Sequence, residues 1–392
     1  MLQLVPSATP PPPHADHIRQ EVRTFIADSL KTGAFSPSVD SWTVGWDPAF
    51  SAELGRRGLL GMTIPEQYGG RGASHLERYI VIEELLAAGA PVAAHWVADR
   101  QAAPSLLSHG TEYQRQRYLP GIAKGELYFG IGMSEPESGS DLASVQTTAK
   151  RAEGGWEITG TKIWTSGAHH CHAFFVLART EPLDPQHRHH GLSQFIVDLD
   201  SPGIDIRPIK FLTGLHHFNE VVLDHVFVPD ELVLGAIGDG WSQVTSELAY
   251  ERSGPERILS SFPVLEGLVT AQRPGPDQAE PDQAGPQHAA IGALVARAFV
   301  LRQMSLAIAG SLAAGKPENL SAAIVKDLGT QFEKEVIETA AAISAHEPDP
   351  TSTAGQFGKT LADAIHQSPG FTLRGGTNEV LRGVIVRELG LR

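Results

Sequence analysis

The chain has 392 residues, 41% of them hydrophobic, too many for one ordinary core and enough for two or three domains. A formal charge of −14 excludes general nucleic-acid binding, and any polyanionic ligand then needs local basic residues. The single cysteine, Cys171, excludes an intramolecular disulfide and fits a reducing cytoplasm, and no apolar run reads as long enough to span a membrane.

The opening MLQLVPSATPPPPHAD has no basic region leading into an apolar segment, so residues 1–15 read as a flexible Pro-rich leader rather than a secretory signal. From residue 16 to 126 the pattern is helical. IRQEVRTFIADSL places Ile18, Val22, Phe25, Ile26 and Leu30 on one face, and LERYIVIEELLAAG repeats the period. His109-Gly110-Thr111 reads as one helix end and the cap of the next.

From 127 to 237 the period changes to two. VQTTAKRA and WEITGTKI flank the hairpin signal Glu153-Gly154-Gly155, and AFFVLART, SQFIVDLD, IDIRPIKF and EVVLDHVFVP follow. A β domain of about six strands, a barrel or sandwich, is expected. His187, His189 and His190 beside Asp184 match no ordinary zinc spacing, so EPLDPQHRHHG reads as a solvated loop and no metal is expected. His169, His170 and His172 read as packing or exposed residues.

From 238 to 392 the helical period returns. A long helix begins near Trp241 and is kinked or broken at Gly254-Pro255, because proline lacks the N–H and clashes with the preceding turn. Gln272–His288 reads as a mobile linker, and two long helices and the RGGTNEV segment complete an α+β chain with helices at both ends.

Within the β region, FGIGMSEPESGSDLASV and GTKIWTSGAH stand close together. Gly130 and Gly132 allow close backbone approach to a flat ligand. The Ser134–Asp141 turn offers hydroxyls and N–H groups suited to a phosphate. Trp164 can cover an aromatic ring, with Thr165 and Ser166 to bond its edge. Each feature alone is ordinary, and their pairing is specific.

These two blocks resemble the flavin-binding signatures of the acyl-CoA dehydrogenase family. GLLGMTIPEQYGGRGAS (Gly58–Ser74), GIDIRPIKFLTG, FNEVVLDHVFVPDELVLG, GDGWSQVTSELAYER and RGGTNEVLRGVIVRELG follow in the family's order. The resemblance implies an N-terminal helical domain forming one wall of the acyl pocket, a middle β domain and a C-terminal four-helix bundle. It implies FAD as cofactor, an acyl-CoA substrate and an electron-transfer flavoprotein as acceptor. The assembly implied is a homodimer or tetramer, with a heteromer as the alternative.

Such an enzyme needs a carboxylate to remove the α-proton while the flavin takes the β-hydrogen. In many members the base immediately precedes Gly-Thr in the closing motif, where this chain has Gly375. A second pattern carries it on the long helix in a Glu-Arg pair, which LAYER supplies. Glu251 therefore matches the base, with Glu256 next in line. Arg252 matches a CoA-side arginine, or else makes a helix-surface ion pair. By the same match, Ile131, Met133 and Ser134 line the flavin ring, and Ser140 meets the pyrophosphate. Trp164 and Ser166 flank the reactive edge, and Thr377 and Glu379 lie near the FAD.

Two departures stand out. The family's Arg-x-x-Phe-Gly motif should fall within Gln272–His288, and Gln-x-x-Gly-Gly near Ala340–His346; neither is present. Three readings follow: an acyl-CoA dehydrogenase, a non-catalytic or half-site subunit of a heteromer, and a flavin monooxygenase on the same fold.

Overall fold

Seven consecutive buried residues, Ala173–Arg179, form the strand on which the middle of this protein is built. The structure, a computed structural model, describes residues 4–271, 285–316, 318–344 and 356–391, with the side chains of 247–251 and 356 outside the description. Much of the predicted linker and the polar loop Glu347–Thr353 therefore lie outside the described residues.

In chain order the helices before the sheet are α1 (Ala15–Thr32), α2 (Ser41–Val44), α3 (Pro48–Arg56), α4 (His75–Ala87), α5 (Ala93–Val97), α6 (Ala103–His109) and α7 (Glu112–Ala123). The strands are β1 (Phe129–Gly132), β2 (Thr148–Ala152), β3 (Gly155–Ser166), β4 (Ala173–Arg179), β5 (Leu192–Asp198), β6 (Ile204–Lys210), β7 (His216–Pro229) and β8 (Val233–Leu234). Then come α8 (Gly240–Ser253), α9 (Phe262–Ala271), α10 (Pro286–Ala313), α11 (Asn319–Ile343), α12 (Gln356–Gln367) and α13 (Asn378–Glu388).

The chain divides into two units. One contains Trp46–Ser74 and Val92–Glu251. Its eight-stranded sheet runs β6-β7-β3-β2-β4-β5-β8, with β1 added parallel to β4. The alternating segments named above become β2 to β7. The expectation of about six strands missed β1, which is four residues long with two glycines, and β8, which has two residues. Neither is long enough to show a period of two. Phe174, Phe175, Ile196, Val221 and Val226 join Leu106, Leu119 and Ile122 of the preceding helices in one core. Thr111 caps α7 in a reciprocal box with Gln114, as its sequence position suggests.

The other unit contains Met1–Gly45, His75–Pro91 and Arg252–Arg392. Ile18, Val22, Phe25 and Ile26 of α1 are buried as their spacing predicts, but Leu30 is 40% exposed, in the last turn before the left-handed Gly33. Gly254-Pro255 ends α8, and a 3-10 turn at Pro255–Arg257 separates it from α9. By length and mean hydropathy, 1.5, α10 is apolar enough to cross a membrane, contrary to the expectation that no such run exists. Arg297 and Arg302 interrupt the run letter by letter without lowering its average far. Here Arg302 pairs with Glu83 at 2.6 Å and Arg297 with Glu335, while Ile291, Leu294, Leu301 and Ile308 are buried. Within its unit α10 is a bundle helix with charged ties on both sides.

Candidate active site

The first half of the flavin-like block is a turn held from beneath by a buried ion pair. β1 ends at Gly132, and the chain turns through Ser134–Ser138, where Glu135 and Ser138 exchange backbone hydrogen bonds at 2.8 and 3.0 Å. Lys162, fully buried on β3, donates to Glu135 Oε1 at 2.8 Å and to the Met133 carbonyl at 3.2 Å. The Gln146 and Thr147 amides donate to the same carboxylate at 2.6 and 2.9 Å. Burial pushes the Glu135 carboxyl up, but the Lys162 charge and these hydrogen bonds outweigh it and hold it below its ordinary value. Burial lowers the Lys162 ammonium to about 8 against the pull of Glu135. Sequence reading passed over this pair, although Lys162 is the one Lys, Arg, Asp or Glu in GTKIWTSGAH and was its visible signal.

On this base Ile131, Met133 and Ser134 are half-buried, while Ser140 is exposed at the far end of the turn. Ser138 Oγ donates to the Asp141 carbonyl at 2.8 Å, and Arg188 reaches Asp141 at 2.6 Å. Gly130 and Gly132 have a different purpose from the one their sequence suggests. A Cβ at Gly132 would meet the Phe174 ring at 2.7 Å, and one at Gly130 the Phe174 and Thr165 side chains at 3.2 Å, so both make room for core side chains.

The second half lies on β3. Its pairing with β7 slips between Lys162 and Thr165, and at that bulge Trp164 adopts a left-handed φ of 62°. Its indole is 53% exposed and meets Phe218 edge-on at 5.7 Å. A β-bulge of this kind re-aims a side chain, here turning a large apolar ring outward. Ser166, half-buried, pairs with Phe218 across the sheet, and buried Asn219 donates to the Thr165 carbonyl at 3.0 Å. Asn219 also meets His216 Nε2 at 2.7 Å.

Of the histidines read as packing or exposed, His169 is half-buried and His170 and His172 are exposed. His169 stacks on His216 at 3.9 Å and meets His170 at a tilt, also at 3.9 Å, and His170 lies against Trp46 at 5.0 Å. Burial, with His170 and His216 beside it, lowers His169 to about 4, so its ring is neutral at pH 7. In the other loop His187 pairs with Asp184 at 2.9 Å and His189 stacks on Trp241. On α5 and the turn that follows it, His95 Nδ1 meets Ser51 Oγ at 2.8 Å and Asp99 accepts from the Gly61 amide. Arg100 and Gln101 line a cleft with Pro104 and Ser105. A π-helical turn at Ala98–Ala102 sets their direction, a feature that no sequence period announces.

In the other unit the closing motif is a glycine turn held by a lysine. Gly375 and Gly376 have φ of 71° and 87°, so both need the left-handed region that glycine adopts freely. Buried Lys326 donates to the Gly376 carbonyl at 2.7 Å, the Thr372 carbonyl at 3.2 Å and Asn378 Oδ1 at 2.6 Å. Half-buried Arg252 donates Nε to the Gly375 carbonyl at 3.2 Å, rather than making only a surface ion pair. Thr377 is the N-cap of α13, accepting from the Val380 amide, and Glu379 is exposed in its first turn. Hydrogen bonding at that helix start, first to its own amide and then to Thr377, holds the Glu379 carboxyl below its ordinary value. Glu251 lies in the last turn of α8, and its side chain is outside the described residues. Glu256 is buried in the turn after α8.

An outward-facing indole, with Ser134 and Ser166 half-buried and Ser140 exposed in the same unit, fits a planar cofactor carrying a phosphate chain. Comparison with known proteins gives that cofactor a family. Residues 12–126 match the acyl-CoA dehydrogenase N-terminal domain and residues 130–226 the acyl-CoA dehydrogenase middle domain. Acyl-CoA dehydrogenase FadE34 of Mycobacterium tuberculosis is 47% identical over 203 residues, which are 51% of this chain and 27% of that protein. The chain thus matches little more than a quarter of that relative's length. Acyl-CoA dehydrogenase FadE29 of the same organism is 32% identical over 346 residues, 86% of this chain and 87% of that protein. The solved structure of the Tcur3481-Tcur3483 steroid ACAD superposes with a TM-score of 0.84 at 28% identity, covering 100% of this chain and 99% of that one. The chain belongs to the acyl-CoA dehydrogenase family, a family of FAD-dependent oxidoreductases.

Proposed function

We propose that this chain dehydrogenates an acyl-CoA thioester at its α,β bond with Glu251 as the α-proton base. The observation that carries the reading is the closing turn. Its Gly375 has left-handed backbone and no side chain, and its carbonyl is held by Arg252, the residue after Glu251. Where many family members have a carboxylate this chain has none, and the carboxylate of the Glu-Arg pair takes its place. Bound FAD supplies the hydride acceptor. Ile131, Met133 and Ser134 line its ring, Trp164 and Ser166 flank the reactive edge, and Ser140 meets the pyrophosphate. By the family resemblance Thr377 and Glu379 match positions near an FAD, and Arg252 serves the CoA side. The domain division at 16–126, 127–237 and 238–392 belongs to this proposal, as do a cytoplasmic location and an electron-transfer flavoprotein as acceptor.

Assembly is the second part of the reading. The solved neighbour carries two protein names, and this chain lacks the Arg-x-x-Phe-Gly and Gln-x-x-Gly-Gly motifs. That combination favours a heteromer in which a second acyl-CoA dehydrogenase chain completes the adenosine end. The neighbour's name, steroid ACAD, supports a polycyclic acyl group as substrate.

Glu251→Gln keeps shape and removes the base. Anaerobic flavin reduction by a good thioester should slow by about 10²–10⁴ while FAD and thioester still bind. An unchanged rate sinks the assignment and moves the test to Glu256→Gln. A folded but colourless protein, taking up FAD only with a second chain, selects the half-site reading instead.

A further inference from the structure

The cleft beside the π-helical turn is unusual in having almost no apolar wall. Arg100, Gln101 and Ser105 are buried at 5, 7 and 3% exposure. Pro104 is the one apolar residue among its lining, and half-buried His109 with exposed Ser108 and Ser246 stand around them. Small-molecule pockets are ordinarily apolar with a few polar groups.

The polarity has a direction. Arg100 Nη2 donates to Gln101 Oε1 at 2.9 Å, and the guanidinium lies 5.6 Å from the Trp96 ring centroid. Gln101 therefore spends its carbonyl oxygen on Arg100, and its amide nitrogen is the end that remains to donate. Ser246 Oγ is engaged with the Gln243 carbonyl at 2.7 Å. Ser105 Oγ, in contrast, is buried without a hydrogen-bond partner. A buried hydroxyl left unsatisfied is costly, and a ligand oxygen entering the cleft removes that cost. Amide N–H, hydroxyl and guanidinium make the wall rich in donors, which suits an acceptor oxygen. The cleft holds about 10 Å³, room for one oxygen-sized group and not for a ring system. Ser246 stands five residues before Glu251 on α8, about 7.5 Å of helix rise, so the cleft borders the helix that carries the proposed base.

We propose that this cleft is a specificity site that binds an acceptor oxygen, carboxylate or keto, carried by the acyl group away from its thioester. Gln101 and Ser105 are the donors that read the oxygen, and Arg100 fixes Gln101. The substrate class is then an oxygenated acyl-CoA, not a plain alkyl one. This inference rests on the dehydrogenase reading above, and its test separates the two.

The flavin-loaded protein is titrated calorimetrically with three CoA thioesters of matched length, one plain, one ending in a carboxylate and one carrying a ketone at the same place. At least one oxygenated thioester should bind about tenfold tighter than the plain one, the scale of one good hydrogen bond to a buried partner. Ser105→Ala and Gln101→Leu should each shrink that ratio several-fold, and a ratio is insensitive to a general loss of binding. Tighter binding of the carboxylate alone identifies the Arg100 charge as the discriminating element. Equal gains for both identify a neutral acceptor. Equal affinities for all three, no binding of any, or a ratio that survives both substitutions overturns the proposal and leaves the cleft to water. Flavin bleaching in the same samples keeps the two readings apart. Binding with the expected ratio but no bleaching rejects the dehydrogenase and keeps the cleft, whereas bleaching with equal affinities does the reverse.

Discussion

Lys162 and Lys326 are both fully buried, and each locks a turn that belongs to a family motif, but at different range. Lys162 meets Glu135 across 27 residues, and every other group on that carboxylate lies in the adjoining β2 approach. Its turn is a local product of one β domain. Lys326 gathers oxygens of Thr372, Gly376 and Asn378 from as many as 52 residues away. The segment it holds is tied further still, since Arg374 reaches Asp40, 334 residues distant, at 2.6 Å. Ser260 sits at the hub of that network. Its amide donates to Glu333 at 2.7 Å, its carbonyl accepts from the Asp40 amide, and its hydroxyl accepts from Trp42 and Arg374. The first turn depends on one pair, while the second shares its load among many groups. Single substitutions should therefore damage the first more.

The sharpest way to break that contrast is Lys162→Met, which leaves the Glu135 carboxylate buried without its counter-charge. Removing one partner of a buried pair costs about 3–5 kcal/mol. Chemical denaturation should show a loss of that size, with FAD release at lower denaturant than unfolding. A loss below about 1 kcal/mol means the pair holds nothing.

In the second network, Glu333 tests how charge is shared. Burial raises its carboxyl to about 7, despite Arg374 and the Ser260 hydrogen bonds, with Asp40 adding to the rise. Below about pH 4.5 the carboxyl is protonated in both folded and unfolded chains and costs nothing. Between 4.5 and 7 the unfolded chain releases a proton that the folded chain keeps, so Glu333 costs stability as pH rises and the full cost is present above 7. Glu333→Gln should thus gain on the parent by about 3 kcal/mol between pH 4.5 and 8, measured by unfolding at each pH. A constant difference across that window means the network ionises Glu333 without penalty.

Thr377→Ala gives the smallest effect. The residue caps α13, and losing a Thr cap costs about 1 kcal/mol. If the loss is confined to stability, Thr377 is a cap alone; a fall in FAD affinity beyond it supports its place near the cofactor.

The motifs carrying the flavin reading were visible in the letters because they are short and contiguous. Trp164 and Ser166 need only a strand and a bulge to stand side by side. The Gly254-Pro255 break and the Thr111 cap were visible for the same reason, as each is decided within a turn or two of chain. What was misread needed a partner from elsewhere. Gly130 and Gly132 looked open to a ligand until Phe174 filled the space, and Leu30 kept the helical period but lies beyond the packed face. α10 passes as a long apolar helix by its average, while its two arginines meet carboxylates on other helices.

Periodicity, caps, breakers and the order of the family's motifs were determined by the sequence alone, since each rests on backbone preferences spanning at most a few turns. The tertiary structure alone decided the Ser260 hub, the stack of His169 on His216, the donors turned into the Gln101–Ser105 cleft and the clamp of Lys162 on Glu135. Those depend on which side chains meet after burial, where an unpaired charge or hydroxyl costs enough to select its partner, and residue spacing along the chain carries no record of that selection.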